Sequence, residues 1–409
     1  MAIKTLPEDF IVDEVLTPAY TAQVSQTPGP FVVYHLSKTS LTTPEAITFF
    51  SRALGMPANK VIAAGLKDKH GQTTQHVTVE AGRAAEKFPK TMEGQNWKAR
   101  RTGFTHAPIN SQAIEANRFK ITIRALTRKD NEQLDEAAKS LMTGPEEITS
   151  SKGRMLVVNY YGNQRFGGAR AGEGFLAPLL IRGHFEEALR IVLATPHRKD
   201  LRQIKDFKKT CKENWGQWKS MLPKLPKTQL RLPIEKLAFS GGKTEEDFKN
   251  AFQALPYFEQ QMAVEAWQSL LWNRVACRLV ETHCAPCREI NDTYCKVAFP
   301  SPGSVPSEWR HLMLPVMGKN SKLEEPWASA AHAVLEEEGI TTADLKIPGV
   351  DRPWFAEVKR QLFVEATHLH IANPQQDETQ DKSVRFRRTL SFTLPRGCYA
   401  TVVLRALGH

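Results

Sequence analysis

The two ends of this chain carry strand periodicity and its middle carries helical periodicity, and that order limits the folds open to it. Near the start, Phe10-Ile11-Val12-Asp13-Glu14-Val15 and Phe31-Val32-Val33-Tyr34-His35-Leu36 read as strands, each behind a proline-containing turn. Residues 119–126 alternate apolar and polar side chains and predict another strand. From about Gly167 the texture changes. Residues 184–194 and 258–283 have helical spacing, with Trp267, Leu270, Leu271 and Val275 as packing residues. Strand patterns return at residues 390–394, and after the turn Pro395-Arg396-Gly397 the β-branched run to Leu404 predicts a second strand. The order predicts an α+β domain with a helix-rich domain inserted into it.

The 409 residues leave room for two or three domains. No apolar run approaches the ~18 residues of a membrane span, and the opening MAIKTLPEDF has no apolar signal core, which predicts a cytoplasmic protein. Six cysteines are too few for a disulfide scaffold. Cys284 and Cys287, with His283, Cys277 and Cys295 nearby, lack the second spaced ligand pair of a zinc site, so no metal is expected. No phosphate-binding loop, dinucleotide fingerprint or metalloprotease motif is present, and no cofactor is expected. Gly162-Asn163-Gln164-Arg165-Phe166-Gly167-Gly168 reads as a structural turn, leading to a glycine-rich exit at Gly172-Glu173-Gly174.

The net charge of +11 points to a polyanionic partner, nucleic acid above all. The basic residues cluster. One group is Lys98, Arg100 and Arg101. A second runs through Arg198, Lys199, Arg202, Lys205, Lys208, Lys209, Lys212 and Lys219, with Trp215 and Trp218 among them. A third is Arg385, Arg387 and Arg388 around Phe386. Basic residues mixed with aromatics suit phosphate contacts and base stacking.

One loop is the candidate for chemistry. Val61-Ile62-Ala63-Ala64 ends at Gly65, Lys67-Asp68-Lys69-His70 follow, and Gly71 leads into the alternating run His76-Val77-Thr78-Val79-Glu80. A helix precedes it, with Thr43 as expected N-cap, Pro44 at the first position and Gly55 as stop. Asp68 thus sits in a glycine-bounded turn, flanked by lysines that favour its ionised form. The pattern fits a solvated turn as well as a nucleophile or general base. Asn117 and Phe119 share one face of their strand, as a turn amide and a core ring or as a base reader beside a stacking platform.

Six stretches in order along the chain resemble the TruD family of tRNA pseudouridine synthases: PEDFIVDE at residues 7–14, AGLKDKHGQTTQ at 64–75, ANRFKITIR at 116–124, NYYGNQRFG at 159–167, AWQSLLWNRV at 266–275 and FTLPRGCYATVVLR at 392–405. After Gly397 the family often has a small residue and an aromatic, where this chain has Cys398 and Tyr399. The resemblance implies an α+β pseudouridine-synthase catalytic domain with a mixed, mainly antiparallel sheet over residues 1–161 and 360–409. A helix-rich α/β insertion would occupy residues 162–359. It implies Asp68 as the catalytic residue and Lys4, Phe10, Asn117, Phe119 and Phe392 as substrate-binding residues. The implied partner is tRNA, with no cofactor, no metal, no membrane and no obligate protein partner. The implied reaction lifts a uridine from its stack, expected at position 13 of the D arm, cuts its N-glycosidic bond and rejoins the base through C5. The basic stretch of the insertion is expected to clamp the RNA facing the Asp68 loop. Two other classes remain open: an RNA-binding protein without catalysis, and a glycoside hydrolase, which would need a second carboxylate.

Overall fold

A computed structural model describes residues 3–144, 153–167, 174–197, 200–379 and 385–409. Of the residues singled out above, Gly168, Gly172, Glu173, Arg198 and Lys199 lie outside those described. The chain divides into two compact units, one of Met1–Val157, Ser301–Gly303 and Val364–His409, the other of Val158–Pro300 and Ser304–Phe363.

The first pass builds β1 (Phe10–Leu16), α1 (Pro18–Thr21), β2 (Phe31–Thr39), α2 (Thr43–Ala53), β3 (Val61–Ala63), β4 (Gln72–Glu80), β5 (Thr91–Gly94), β6 (Trp97–Thr105), β7 (Ile114–Leu126), α3 (Arg128–Leu141) and β8 (Gly153–Val158). The second unit holds α4 (Ala177–Ile181), α5 (Phe185–Ala194), α6 (Arg202–Glu213), α7 (Trp218–Met221), α8 (Arg231–Ser240), α9 (Glu245–Gln253) and α10 (Tyr257–His283). It continues with β9 (Cys287–Asn291), β10 (Lys296–Pro300), β11 (Met313–Val316), α11 (Ala328–Glu337) and β12 (Val358–Gln361). The chain then returns with β13 (Phe363–Ile371), β14 (Gln375–Gln376), β15 (Phe386–Pro395) and α12 (Ala400–Ala406).

The main sheet runs β5-β6-β2-β4-β1-β7-β15-β13-β8, with β3 added to β4 and β14 to β15. β1 and β4 are parallel. The pairs β1–β7, β7–β15, β13–β15, β2–β4 and β2–β6 are antiparallel. The sheet is therefore mixed and mainly antiparallel, the α+β class that the sequence predicts. Because strand side chains alternate in direction, direct pairing puts matched residues on one face. Val12, Phe119 and Phe392 form one such row and Glu14, Asn117 and Leu394 the next.

A buried ion cluster fixes one end of these strands. Arg124 on β7 is bound through Nε by both carboxylate oxygens of Asp9, at 2.9 Å each, and through Nη1 by Asp377 at 3.1 Å. Asp9 also accepts from the Leu6 amide at 2.8 Å, which sets the course of the chain just after Lys4. Removing one member of such a cluster leaves a buried charge without compensation, at a cost of roughly 3–5 kcal/mol.

Two local readings need correction. The expected strand after Gly397 is the helix α12, whose buried Val402, Val403 and Ala406 keep helical spacing; tertiary burial overrides the β propensity of its valines. β15 pairs instead with β7 and β13. The N-cap of α2 is Thr42, because Thr42 and Glu45 close a reciprocal capping box. That leaves the Thr43 hydroxyl available for the candidate loop.

The second unit is built on α10, whose Trp267 and Trp272 are fully buried. Its polar positions hold backbone: Gln268 donates to the carbonyls of Met317 and Ala356, and Asn273 both donates to the Tyr161 carbonyl and accepts from the Tyr161 amide. Asn159 is clamped by Arg360 and donates to the Gln361 carbonyl. These contacts explain why NYYG and the α10 segment stand out in the sequence: buried backbone groups require partners.

Candidate active site

Residues 64–71 connect β3 to β4, and four groups from other elements hold them. The Thr43 hydroxyl accepts from the Lys67 amide at 2.9 Å and donates to Gln75 Oε1 at 2.9 Å. Gln75 donates to the Gly65 carbonyl at 3.4 Å. Ser40 donates its amide to the Gly71 carbonyl at 3.1 Å. Gly71 itself has φ 149°, and a Cβ there would stand 2.4 Å from the Phe10 carbonyl oxygen, so only glycine lets the loop close onto β1.

The fourth holder is Lys38, which is 2% exposed. Its ammonium donates to the carbonyls of Leu41 and Asp68, both at 2.7 Å, and of Lys67 at 3.4 Å. Burial pushes its pKa down to about 8, although the Asp68 and Glu45 charges pull the other way.

Asp68 is the loop's partly exposed carboxylate, with 36% of its side chain accessible. Its Oδ2 meets the Lys4 ammonium at 3.1 Å. Lys4 adopts φ 63°, a left-handed conformation that costs a non-glycine residue about 1–2 kcal/mol. Its Nζ also lies 3.9 Å from the centroid of the Phe10 ring. Phe10 meets Phe119 edge-on at 6.3 Å, and Phe119 stacks on Phe392 at 5.5 Å with an interplanar angle of 29°. The three rings are buried: Phe10 at 2% exposure, Phe119 at 7% and Phe392 at 1%. They form a packed row that shows only an edge, at Phe119, rather than open platforms.

The ammonium groups of the two lysines that flank Asp68 pair with other carboxylates. Lys67 reaches Glu14 Oε1 at 2.9 Å and Asn117 Oδ1 at 2.6 Å, bridging a directly opposed pair of β1 and β7. Lys69 reaches Glu45 at 3.3 Å near the surface. Glu14 is almost wholly buried. Burial acts to raise its pKa, but hydrogen bonds from the His76 ring and amide and the Lys67 charge outweigh that and leave it lowered.

The structure thus brings five of the six expected site residues into one contact chain: Lys4 with Asp68 and Phe10, Phe10 with Phe119, and Phe119 with Phe392. Asn117 joins through Lys67, the residue next to Asp68. Sequence reasoning passed over Lys38, Glu14 and Thr43. The first two carry a detectable signal, a charged residue in phase with the buried side of an alternating strand: Lys38 follows Leu36, and Glu14 follows Phe10 and Val12.

The basic clusters divide. Lys208 is 1% exposed and ion-paired with Asp200 at 2.6 Å, so it is a structural cation and not a phosphate contact. Trp218 is buried, and Trp215 donates its ring N–H to Glu186. Arg388 is buried against Asp135 and the Ala372 carbonyl. Arg202, Lys205, Lys209 and Lys212 line exposed positions of α6. Among the described residues no group of three or more metal-ligating side chains occurs, and no helix is long and apolar enough to cross a membrane.

A mixed α+β sheet that presents a lysine-paired, partly exposed aspartate in a pinned loop has the groups that nucleophilic or acid–base chemistry needs. Comparison with known proteins narrows the class. The family model for tRNA pseudouridine synthase D (TruD) matches residues 1–299 and 304–407. The tRNA pseudouridine synthase D of Aquifex aeolicus is 28% identical over 99% of this chain and 97% of its own length. That of Leptospira interrogans is 25% identical over 99% and 95%. The crystal structure of a candidate TruD from Methanosarcina mazei superposes with a TM-score of 0.67 at 21% identity, over 99% of this chain and 92% of that one, and so shares the fold. The chain belongs to the TruD family of tRNA pseudouridine synthases, which are isomerases.

Proposed function

We propose that Asp68 is the catalytic carboxylate with which this chain converts a uridine of tRNA to pseudouridine, and that uridine 13 of the D arm is its target. The observation that carries the reading is the Lys4–Asp68 pair, drawn together by elements 64 residues apart in sequence and seated against Phe10. The reaction breaks N1–C1′ and forms C5–C1′; the C5 hydrogen leaves as a proton and N1 ends protonated, so the mass is unchanged. Positive charge grows at C1′ as the glycosidic bond loosens, and a carboxylate held ready there stabilises it without reorganisation. Lys4 keeps that carboxylate oriented. The small exposed part of Phe119, backed by Phe10 and Phe392, supplies an apolar contact for the flipped base, and Asn117 the polar contact.

We read the first unit as the catalytic domain and the second as the insertion. The exposed cations of α6 would give it sequence-independent grip on phosphates. The work belongs in the cytoplasm, with the tRNA. The test is to treat unmodified tRNA with the pure protein and map pseudouridine. Pseudouridine at a defined D-arm uridine, lost in Asp68→Asn, is the expected result. Release of free uracil would make the chain a glycosidase, and tRNA binding without either product would make it a binding protein.

A further inference from the structure

Of the eight tryptophans in this chain, Trp354 alone is exposed, with 48% of its surface open to solvent. A side chain of that size and apolarity is normally buried, so its exposure calls for a reason. Trp354 lines a hollow of about 380 Å³ in the second unit, a volume within the range of ligand pockets. The rest of the lining divides by character. Leu345, Ile347 and Phe355 are buried and make an apolar floor. Lys319 and Lys346 are exposed, one from each of the two segments that form the walls. Asp351 and Glu357 add two carboxylates. Arg352 lies 5.1 Å from the centroid of the Trp354 ring and adds a third cation beside it.

The walls are fixed before anything binds. Gln268 of α10 donates to the Met317 carbonyl of one wall at 2.8 Å and to the Ala356 carbonyl of the other at 3.0 Å. The Gly318 amide donates to the Ser321 hydroxyl at 2.9 Å and closes the turn that carries Lys319. The Asn320 amide donates to Glu357 Oε1 at 2.9 Å and ties that turn to the second wall. A Cβ at Gly318 would stand 2.6 Å from both the Glu357 Cγ and the Phe355 carbonyl oxygen, so glycine lets the walls approach. Phe355 packs edge-on against Trp267 at 6.1 Å, which holds the backbone next to Trp354. A surface held this firmly loses little freedom when a ligand stacks on it.

An exposed indole with lysines in the same hollow matches a nucleotide. The base stacks on the ring, and the phosphates meet the ammonium groups. Only a nucleotide outside a base-paired helix can offer its face in this way. Carboxylates accept hydrogen bonds, which suits the amino groups of cytosine, adenine and guanine. Uracil has no amino group, so the hollow suits a nucleotide other than the reacting uridine.

We propose that Trp354, Lys319 and Lys346 form a second RNA site, which holds an unpaired nucleotide of the tRNA apart from the uridine that reacts. The site contributes to binding and not to the chemistry. This inference rests on tRNA as the substrate and is independent of the role of Asp68.

The test is a titration of an unmodified tRNA transcript against the full chain at several salt concentrations. Trp354→Ala should weaken binding about tenfold and leave the slope of log affinity against log salt unchanged, because a stacked base carries no charge. Trp354→Phe keeps a ring and should bind within about threefold of wild type. Lys319→Ala with Lys346→Ala should reduce the slope by roughly 1.4, at about 0.7 for each phosphate contact of a single strand. Affinity of Trp354→Ala within about twofold of wild type overturns the proposal. A second measurement needs only the wild type and the conservative Trp354→Phe. Stacking should quench the Trp354 fluorescence, so tRNA should quench the wild type more than Trp354→Phe; equal quenching in the two overturns the proposal. Nucleoside monophosphates are the third arm. If one of them saturates the Trp354 signal at lower concentration than tRNA does, the hollow is a site for free nucleotides and the proposal is overturned. A wild-type protein that binds no tRNA overturns the reading of tRNA as the substrate, and the inference falls with it. Binding of tRNA to which Trp354 is indifferent overturns the inference alone.

Discussion

Two lysine-rich regions of this chain look alike in sequence and meet opposite surroundings. In the loop of Asp68 and on the strands around it, Lys38, Lys67 and Lys4 are each turned inward on acceptors from distant elements: backbone carbonyls, a carboxylate with an amide, and Asp68 itself. On α6, Lys205, Lys209 and Lys212 face solvent, and Lys209 pairs with Glu213 one turn away at 3.9 Å. Within α6 the exception proves the contrast: Lys208, on the buried face, is tied to Asp200. Charge density therefore does not tell a buried, positioning cation from a solvent-facing one. What separates them is the phase of the lysine in its element and the sequence distance of its partner.

Asp68→Asn is the severest test. It should lower single-turnover pseudouridylation at least about a thousandfold, about 4 kcal/mol of barrier. Binding of tRNA should be equal or tighter, since a negative charge is lost. Activity within about tenfold of wild type would break the view of the loop as catalytic.

Arg124→Ala strips the common partner from buried Asp9 and Asp377. Urea unfolding should show a loss of roughly 3–5 kcal/mol, with activity falling as the segment behind Lys4 loosens. A loss below about 1 kcal/mol, the range of exposed pairs, would place the cluster with the solvent-facing charges of α6.

Lys38→Met removes the donors that hold the loop carbonyls, a loss of about 1–3 kcal/mol. It should lower kcat while leaving tRNA affinity unchanged. Lys38 also predicts a pH effect. Its folded pKa of about 8 lies below the ordinary 10.5. Between those values the unfolded chain binds the proton that the folded chain has released, so stability contributed at Lys38 rises with pH across that window. The difference in unfolding free energy between wild type and Lys38→Met should therefore grow from pH 8 to 10.5; a flat difference would show that Lys38 titrates as a surface lysine.

The smallest effect is expected on α6. Replacing Lys205, Lys209 and Lys212 together by alanine should weaken tRNA binding about tenfold at moderate salt and reduce the slope of log affinity against log salt by roughly two to three, with no loss of fold. An unchanged slope would remove α6 from the interface and erase the contrast with the Asp68 loop.

The fold was largely legible because its strands alternate cleanly and its helix α10 is long and apolar, with residues 266–273 buried on every side. Asn117 and Phe119 share a face, as period two requires, and that face also holds Glu14 and Phe392. Two local features were misread for physical reasons. α12 has valines at positions that suit either period, and only the buried face it covers decides between them. Thr42 and Thr43 both qualify as a cap, and the reciprocal bond with Glu45 chooses the first. Of the candidate site, glycine punctuation and charge mark the loop, and the family resemblance singles out Asp68 within it. The partner of each lysine could not, because Lys4, Lys38 and Glu14 come from separate elements whose register no local pattern records. The burial of Phe119 and Phe392 is of the same kind: the rings are visible in the sequence, and their mutual stacking is set by the pairing of two strands far apart in the chain, with Thr122 and Thr389 separated by 267 residues.

That pairing has a consequence for the order in which the protein can be made. β15 lies inside the sheet, between β7 and β13, and the hydroxyls of Thr122 and Thr389 that meet across β7 and β15 are 267 residues apart. On a ribosome, Lys4, Asp68 and Asn117 are all synthesised long before β15 exists. Until it arrives, β7 is an open edge with unsatisfied backbone groups and Phe119 has no ring to lie against. The nascent chain must therefore shelter that edge through the synthesis of the whole second unit. A product truncated before Phe386 would hold every charged group of the candidate site and still lack Phe392, the ring on which Phe119 stacks.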